Sequence, residues 1–206
     1  HGVDLGGSEI IDNDRIQNLD QFAERLYTLR MRRGVTPRAA RRLVHQRATF
    51  GMLLVEMGLA DGLVGGIGKS YPETIRPALE IIGMRPGAGR ASAIMACLMP
   101  EQIYLLTDTA INIDPDAATL AEIALFGAEI AEGLFDLVPK VALLSFSNFG
   151  SVKHPSAKRV SDALEMVKRL RPDLVVDGEL QADTALSADV AAVFPHSRIK
   201  GDANVL

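Results

Sequence analysis

Residues 116–146, DAATLAEIALFGAEIAEGLFDLVPKVALLSF, decide the fold. From Asp116 to Leu134, apolar side chains recur at Leu120, Ile123, Ala124, Ala128, Ile130 and Ala131, a spacing of three to four residues that gathers them on one side of a long helix. Asp114-Pro115 punctuates its start. Val141 to Phe146 is a short apolar run and reads as a buried strand. The alternation then repeats: Ala157 to Leu170 is a second amphipathic helix and Leu174 to Val176 a second buried strand. Strands separated by helices of this length predict an α/β protein with a mostly parallel sheet covered on both faces.

Outward from this centre the same punctuation continues. Ala91 to Leu98 and Ile103 to Thr107 read as strands joined by a turn at Pro100-Glu101, and Pro72 to Ile82 as a helix. Gly62-Leu63-Val64-Gly65-Gly66 reads as a short buried strand running into a glycine-rich turn. Helices are expected at Leu19 to Arg33, with Phe22, Leu26 and Leu29 on one side and Gly34 as the stop, at Arg38 to His45, and at Phe50 to Met57. Thr36-Pro37 supplies an N-cap and a proline at the first helical position, where its missing N–H costs nothing. Ser8 to Asp12 reads as a strand with little before it, and Ala203 to Leu206 as the start of another, so the chain is expected to be a fragment of something larger.

Composition bounds the function. The chain has 206 residues, 48% of them apolar, enough to bury a sizeable core. One cysteine, Cys97, excludes a disulfide framework and any multi-cysteine metal site. No apolar run reaches the roughly 18 residues that span a bilayer, and His1 to Asp4 lacks the features of a signal peptide. A cytoplasmic protein is expected, with no membrane partner. A formal net charge of −4 argues against nucleic acid as a partner.

Two motifs fail, one on its spacing and one on a residue it needs. Gly62 to Ser70, GLVGGIGKS, has five residues between Gly62 and Gly68 where a phosphate loop has four. Gly87-Ala88-Gly89-Arg90-Ala91-Ser92 has serine where a dinucleotide fingerprint needs its third glycine, and a strand follows instead of a helix. His45, His154 and His196 are scattered, and there is no His-Glu-x-x-His, no nucleophile elbow and no histidine pair.

Other constellations survive. Residues 30–47 hold seven arginines, Arg30, Arg32, Arg33, Arg38, Arg41, Arg42 and Arg47, and no acid; they suit either phosphates of a ligand or a solvated helix face. Arg76 lies in the helix whose N-terminal amides near Ser70 to Thr74 favour anions, with a structural salt bridge as the alternative. Gly87 to Ser92 and Asp108 to Asn112, which includes Thr109, place small donors beside strands, where open α/β sheets put ligand crevices. Ser145 to Ser151 either binds an anion or turns the chain around a packed Phe149. Asp177, Glu179 and Asp183 offer three carboxylates for magnesium or a general base, or for capping and salt bridges.

These segments together resemble the phosphate acetyltransferase family. The resemblance is carried by Leu26-Tyr27-Thr28-Leu29-Arg30 with Gly34-Val35-Thr36, Tyr71 to Leu79, Asn112-Ile113-Asp114-Pro115, Asp177 to Asp183 and Gly201 to Leu206. Ser70-Tyr71-Pro72-Glu73-Thr74 and Leu144 to Ser151 look more like the phosphotransacetylase-like C-terminal domain of bacterial NADP-dependent malic enzymes.

The resemblance implies two α/β subdomains with a cleft between them, as in the phosphotransacetylase and isocitrate dehydrogenase-like architecture. A first partial subdomain would occupy residues 1–85 and a second residues 86–206, with a missing C-terminal segment completing the first and carrying the family's catalytic Ser-Arg pair and aspartate. No catalytic residue or metal ligand is therefore expected in this chain. The implied ligand is acetyl-CoA or acetyl phosphate. Arg30 and Arg76 would hold phosphates, and Ser70, Thr74, Ser92, Thr109 and Asn112 would supply neutral donors. In a malic enzyme the domain would bind acetyl-CoA as an allosteric inhibitor, build a homo-oligomer and partner an N-terminal domain that alone needs NADP and a divalent metal. A fragment of a phosphate acetyltransferase and a ligand-free assembly module are the alternatives.

Overall fold

The computed structural model describes residues 6–8, 11, 18–66 and 68–206. The chain divides into two compact units, His1–Pro86 and Gly87–Leu206.

Four helices make up the described part of the first unit: α1 (Leu19–Arg30), α2 (Pro37–Leu43), α3 (Arg47–Glu56) and α4 (Tyr71–Ile81). α1 runs into a 3₁₀ turn, Met31–Arg33, that ends on Gly34 at φ 87°, a left-handed conformation natural to glycine. Thr36 caps α2, its hydroxyl accepting from the Ala39 amide at 3.2 Å. Phe22, Leu26, Val44, Phe50, Leu53 and Ile81 form the core of this unit, with the Phe22 and Phe50 rings 4.9 Å apart.

The short strand expected at Gly62 to Gly66 is instead an extended loop, with Val64 fully exposed. Two apolar side chains among three glycines bury too little to hold a strand in place, and no strand among the described residues of this unit is there to pair with it. The expected strand at Ser8 to Asp12 falls largely on residues 9, 10 and 12, outside the described residues.

The second unit holds β1 (Ile94–Leu98), β2 (Ile103–Thr107), α5 (Ala117–Phe135), β3 (Lys140–Leu144), α6 (Pro155–Leu170), β4 (Val175–Leu180), α7 (Ala182–Leu186) and α8 (Ala188–Ala191). β1 and β2 pair antiparallel and β3 and β4 parallel. Residues 204–206 join the two pairs: Val205 bridges Leu105 and Val141 in parallel, with Leu105 N–H to Asn204 O and Ala142 N–H to Val205 O both at 2.8 Å. The order is β1, β2, residues 204–206, β3, β4. The sheet is thus mixed, and the expectation of a mostly parallel one holds only from β2 to β4. Four residues separate β1 from β2, far fewer than the dozen or so a parallel crossover needs.

Alternation along β3 explains the layering. Val141 and Leu143 face α5 and α6, packing with Ala124, Ala128, Leu164 and Val167. Ala142 faces the other way, onto Leu180, Ala185, Ile199 and Ala203. The apolar stripes of α5 and α6 are therefore core. Gly127 lets α5 lie close on the sheet, since a Cβ there would sit 2.6 Å from Thr107 Cγ2 and 2.9 Å from Val205 Cγ1.

Candidate functional site

In the first unit a pocket of about 1190 Å³ is lined by four cations, Arg30, Arg47, Lys69 and Arg76, and two carboxylates, Glu73 and Glu80. Arg30 comes from the end of α1, Arg47 opens α3, and Arg76 lies in the middle of α4. The loop that failed to become a strand supplies a wall through Leu63, Val64, Gly65 and Gly66. Arg30 and Arg76, predicted separately from distant stretches, thus face one concavity. Lys69 and Glu80 were not singled out. Their signal was nonetheless present, because Glu73, Arg76 and Glu80 recur at three- and four-residue steps along one side of α4.

The pocket cations differ in how they are engaged. Arg30 pairs with Glu80 at 3.2 Å, and its Nε is buried without a hydrogen-bond partner. Among the described residues neither Arg47 nor Arg76 has an ion-pair partner. Lys69 lies 3.9 Å from Glu73. Glu73 Oε2 accepts from the Ser70 hydroxyl at 2.7 Å and its amide at 2.9 Å, and these bonds, with Lys69 nearby, hold the carboxyl below its ordinary range. Ser70 is therefore the N-cap of α4, with its hydroxyl committed to Glu73, and the Thr74 hydroxyl lies 3.4 Å from the Ser70 carbonyl. The other arginines of the cluster, Arg32, Arg33, Arg38, Arg41 and Arg42, are exposed, with Arg41 3.5 Å from Asp20.

Ser92, Thr109 and Asn112 belong to the second unit. There the organising residue is Asp108, which the sequence marked only as the first residue of a donor-bearing segment. Its carboxylate accepts from the Ile111 amide at 3.0 Å, the Asn112 amide at 2.8 Å, Asn112 Nδ2 at 2.6 Å and the Ala93 amide at 3.3 Å. Asn112 Nδ2 also reaches the Ala91 carbonyl at 3.0 Å. Burial pushes the Asp108 carboxyl up, but these donors, the Asn112 side chain foremost, outweigh it and hold it below the usual range. Asn112 is thereby spent on tying residues 91–93 to residues 108–112. Among the described residues the Ser92 and Thr109 hydroxyls make no hydrogen bond.

The carboxylates of β4 and α7 are also committed. Asp177 accepts from the Arg198 amide at 2.7 Å and the Gly178 amide at 3.0 Å. Glu179, 1% exposed, accepts from the Ser161 hydroxyl at 2.8 Å and the Gly150 amide at 3.2 Å. Asp183 takes the Thr184 amide at 2.8 Å. They hold backbone and a hydroxyl in place, rather than forming the salt bridges expected of them, and no group among the described residues is arranged to hold a metal ion. Ser145 to Ser151 turns around Phe149, whose ring packs 4.5 Å from His196 and 5.2 Å from Phe194. No helix among the described residues is long and apolar enough to cross a membrane.

Fold and pocket define a two-unit α/β protein whose first unit carries a cation-rich concavity. The family model for phosphate acetyl/butaryl transferase matches residues 1–206, and the chain belongs to that family. It is 41% identical to the phosphate acetyltransferase of Bacillus subtilis over 202 residues, which is 98% of this chain and 62% of that protein. It is 38% identical to the NADP-dependent malic enzyme of Haemophilus influenzae over 207 residues, all of this chain and 27% of that protein. The EutD phosphotransacetylase structure from Staphylococcus aureus superposes with a TM-score of 0.83 at 34% identity, covering 98% of this chain and 62% of that one. The chain thus spans about three-fifths of the Bacillus relative's length.

Proposed function

We propose that the chain is a fragment of the phosphotransacetylase-like regulatory domain of a cytoplasmic NADP-dependent malic enzyme, binding acetyl-CoA as an allosteric inhibitor of malate oxidation and carrying contacts of a homo-oligomer. The ligand reading rests on one observation: Arg30 and Arg76, from different helices, line the same pocket, and Arg76 has no ion-pair partner among the described residues. Guanidinium groups converging on a concave surface suit phosphate oxygens. In the second unit, Ser92 and Thr109 keep hydroxyls without a hydrogen bond among the described residues and stay candidate neutral donors there. Ser70 and Thr74, already bonded at the start of α4, shape the backbone beside Arg76. The malic enzyme assignment is supported by Ser70 to Thr74, Leu144 to Ser151 and the end-to-end likeness to the Haemophilus protein.

Inhibition of this kind requires acetyl-CoA to bind the less active state of the assembly more tightly than the active one. The test is calorimetry on the full-length protein. Acetyl-CoA binding is expected to weaken at least tenfold in Arg76→Ala, an order-of-magnitude loss for one charge-assisted phosphate contact, and inhibition of malate oxidation is expected to weaken with it. Unchanged affinity in both Arg30→Ala and Arg76→Ala removes the pocket from the ligand site.

The likeness to the Bacillus enzyme favours a second reading, a piece of a phosphate acetyltransferase that moves an acetyl group between coenzyme A and phosphate. Formation of acetyl-CoA from acetyl phosphate and coenzyme A by the full-length protein, without malate oxidation, would select it.

A further inference from the structure

The two pocket carboxylates have different employment. Glu73 is bound to its helix cap by two hydrogen bonds from Ser70. Glu80 has only Arg30: the ion pair is 3.2 Å long, and the Glu80 side chain is 43% exposed against 21% for Arg30. Glu80 also lies in the last turn of α4, where the helix dipole disfavours a negative charge. Its position is therefore poor for the helix and useful to the pocket. Arg30 in turn is only partly used, since one terminal nitrogen meets Glu80 while Nε is buried and unpartnered. A phosphate taking Nε and a terminal nitrogen together would satisfy both, as carboxylates and phosphates do with arginine forks.

We infer that Glu80 is an internal counter-ion, holding Arg30 while the pocket is empty and competing with the phosphate of an incoming ligand, so that it sets how tightly the pocket takes anions. This rests on the reading that the pocket binds a phosphate-bearing ligand, and it adds to that reading a residue that opposes binding. Glu80 is the partner suited to yield: its side chain is the more exposed of the two, and no other residue among those described holds it. Binding thus exchanges one ion pair for another. The pocket is electrostatically balanced at Arg30 before the ligand arrives and keeps its unspent charge at Arg47 and Arg76.

The test compares the full-length protein with Glu80→Gln, Arg30→Ala and the double variant, using inorganic pyrophosphate as probe and acetyl-CoA in parallel. Removing the carboxylate charge while keeping its size is expected to tighten pyrophosphate binding about three- to fivefold, the upper scale of one partly exposed ion pair that no longer has to be broken. In the Arg30→Ala background the same substitution is expected to change affinity by less than about twofold, because the competition acts through Arg30. Weaker or unchanged binding in Glu80→Gln, or an equal gain with and without Arg30, overturns the inference. If Arg76→Ala weakens the probe while Glu80→Gln does nothing, only the counter-ion role is lost. If neither wild type nor Glu80→Gln binds pyrophosphate or acetyl-CoA, the pocket reading falls with it. Circular dichroism and a melting curve for each variant separate lost binding from lost folding.

Discussion

The Asp108 carboxylate takes two hydrogen bonds from Asn112, one from its amide at 2.8 Å and one from Nδ2 at 2.6 Å. This pair anchors the turn after β2 to the residues leading into β1. Because the folded-state pKa of Asp108 is depressed, its contribution to stability is full above the unfolded-state value of about 3.9 and is lost as pH falls through the lower folded value. Asp108→Asn places an amide where four N–H groups converge, so it is expected to cost about 1–3 kcal/mol at neutral pH. It should also flatten the acid limb of the stability curve below about pH 4. Urea melts of both proteins between pH 2 and 7 measure this, and an unchanged acid limb would contradict it.

Glu179 is buried and holds the Ser161 hydroxyl and the Gly150 amide, linking β4, α6 and the turn around Phe149. Glu179→Ala leaves both donors without their acceptor and opens a cavity. A loss of about 2–4 kcal/mol is expected from unsatisfied buried donors together with lost packing. Since Asp177, Glu179 and Asp183 all accept from protein donors, millimolar magnesium is expected to leave the melting temperature unchanged. A rise on adding magnesium would mean that the carboxylates let go of these donors for the ion.

Two glycines of the second unit should respond unequally to alanine. At Gly127 the added methyl would lie 2.6 Å from Thr107 Cγ2 and 2.9 Å from Val205 Cγ1, side-chain atoms that shift more readily than backbone. Overpacking of about 1–3 kcal/mol is offset there by the roughly 1 kcal/mol that alanine gains over glycine in a helix. At Gly201 φ is 76° and the methyl would lie 2.3 Å from the Ser187 carbonyl carbon and 2.4 Å from the Ala188 nitrogen. Backbone cannot yield as a side chain does, so Gly201→Ala should be the more damaging, by about 3 kcal/mol or more. Thermal melts give the ranking directly, and the reverse order would show that the loop at 199–203 moves freely.

Two variants in the first core probe the aromatic contact. Phe22 and Phe50 are 6% exposed and tilted against each other. Each is expected to cost about 3–5 kcal/mol as alanine. The double variant should cost less than the sum, because the pair is lost once. Strict additivity in denaturant titrations would contradict their coupling.

Legibility followed the range of the forces involved. Helices announced themselves through local periodicity and punctuation, as at Thr36-Pro37 and Asp114-Pro115, while the cap at Asp116, whose side chain accepts from the Thr119 amide at 2.8 Å, emerged from the structure. The segment at Gly62 to Gly66 misled because a strand is completed by partners that local sequence does not name. The place of residues 204–206 in the middle of the sheet was equally hidden, since nothing in Asn204-Val205-Leu206 encodes that β2 and β3 flank it. At the site, charge made Arg30 and Arg76 visible. The role of Asp108 was not, because an aspartate in a turn is ordinary until the amides around it are known. Glu80 was legible in principle from its spacing to Arg76, but its meaning depended on Arg30, fifty residues away.

Residues 204–206 work as a keystone. Among the described residues, the hairpin on one side and the parallel pair on the other pair with each other only through Val205 and its neighbours. On a ribosome, the second unit must wait with two bare β edges until Leu206 has emerged, exposed to whatever else could pair with them. Without residues 204–206 the hairpin and the parallel pair would not make one sheet.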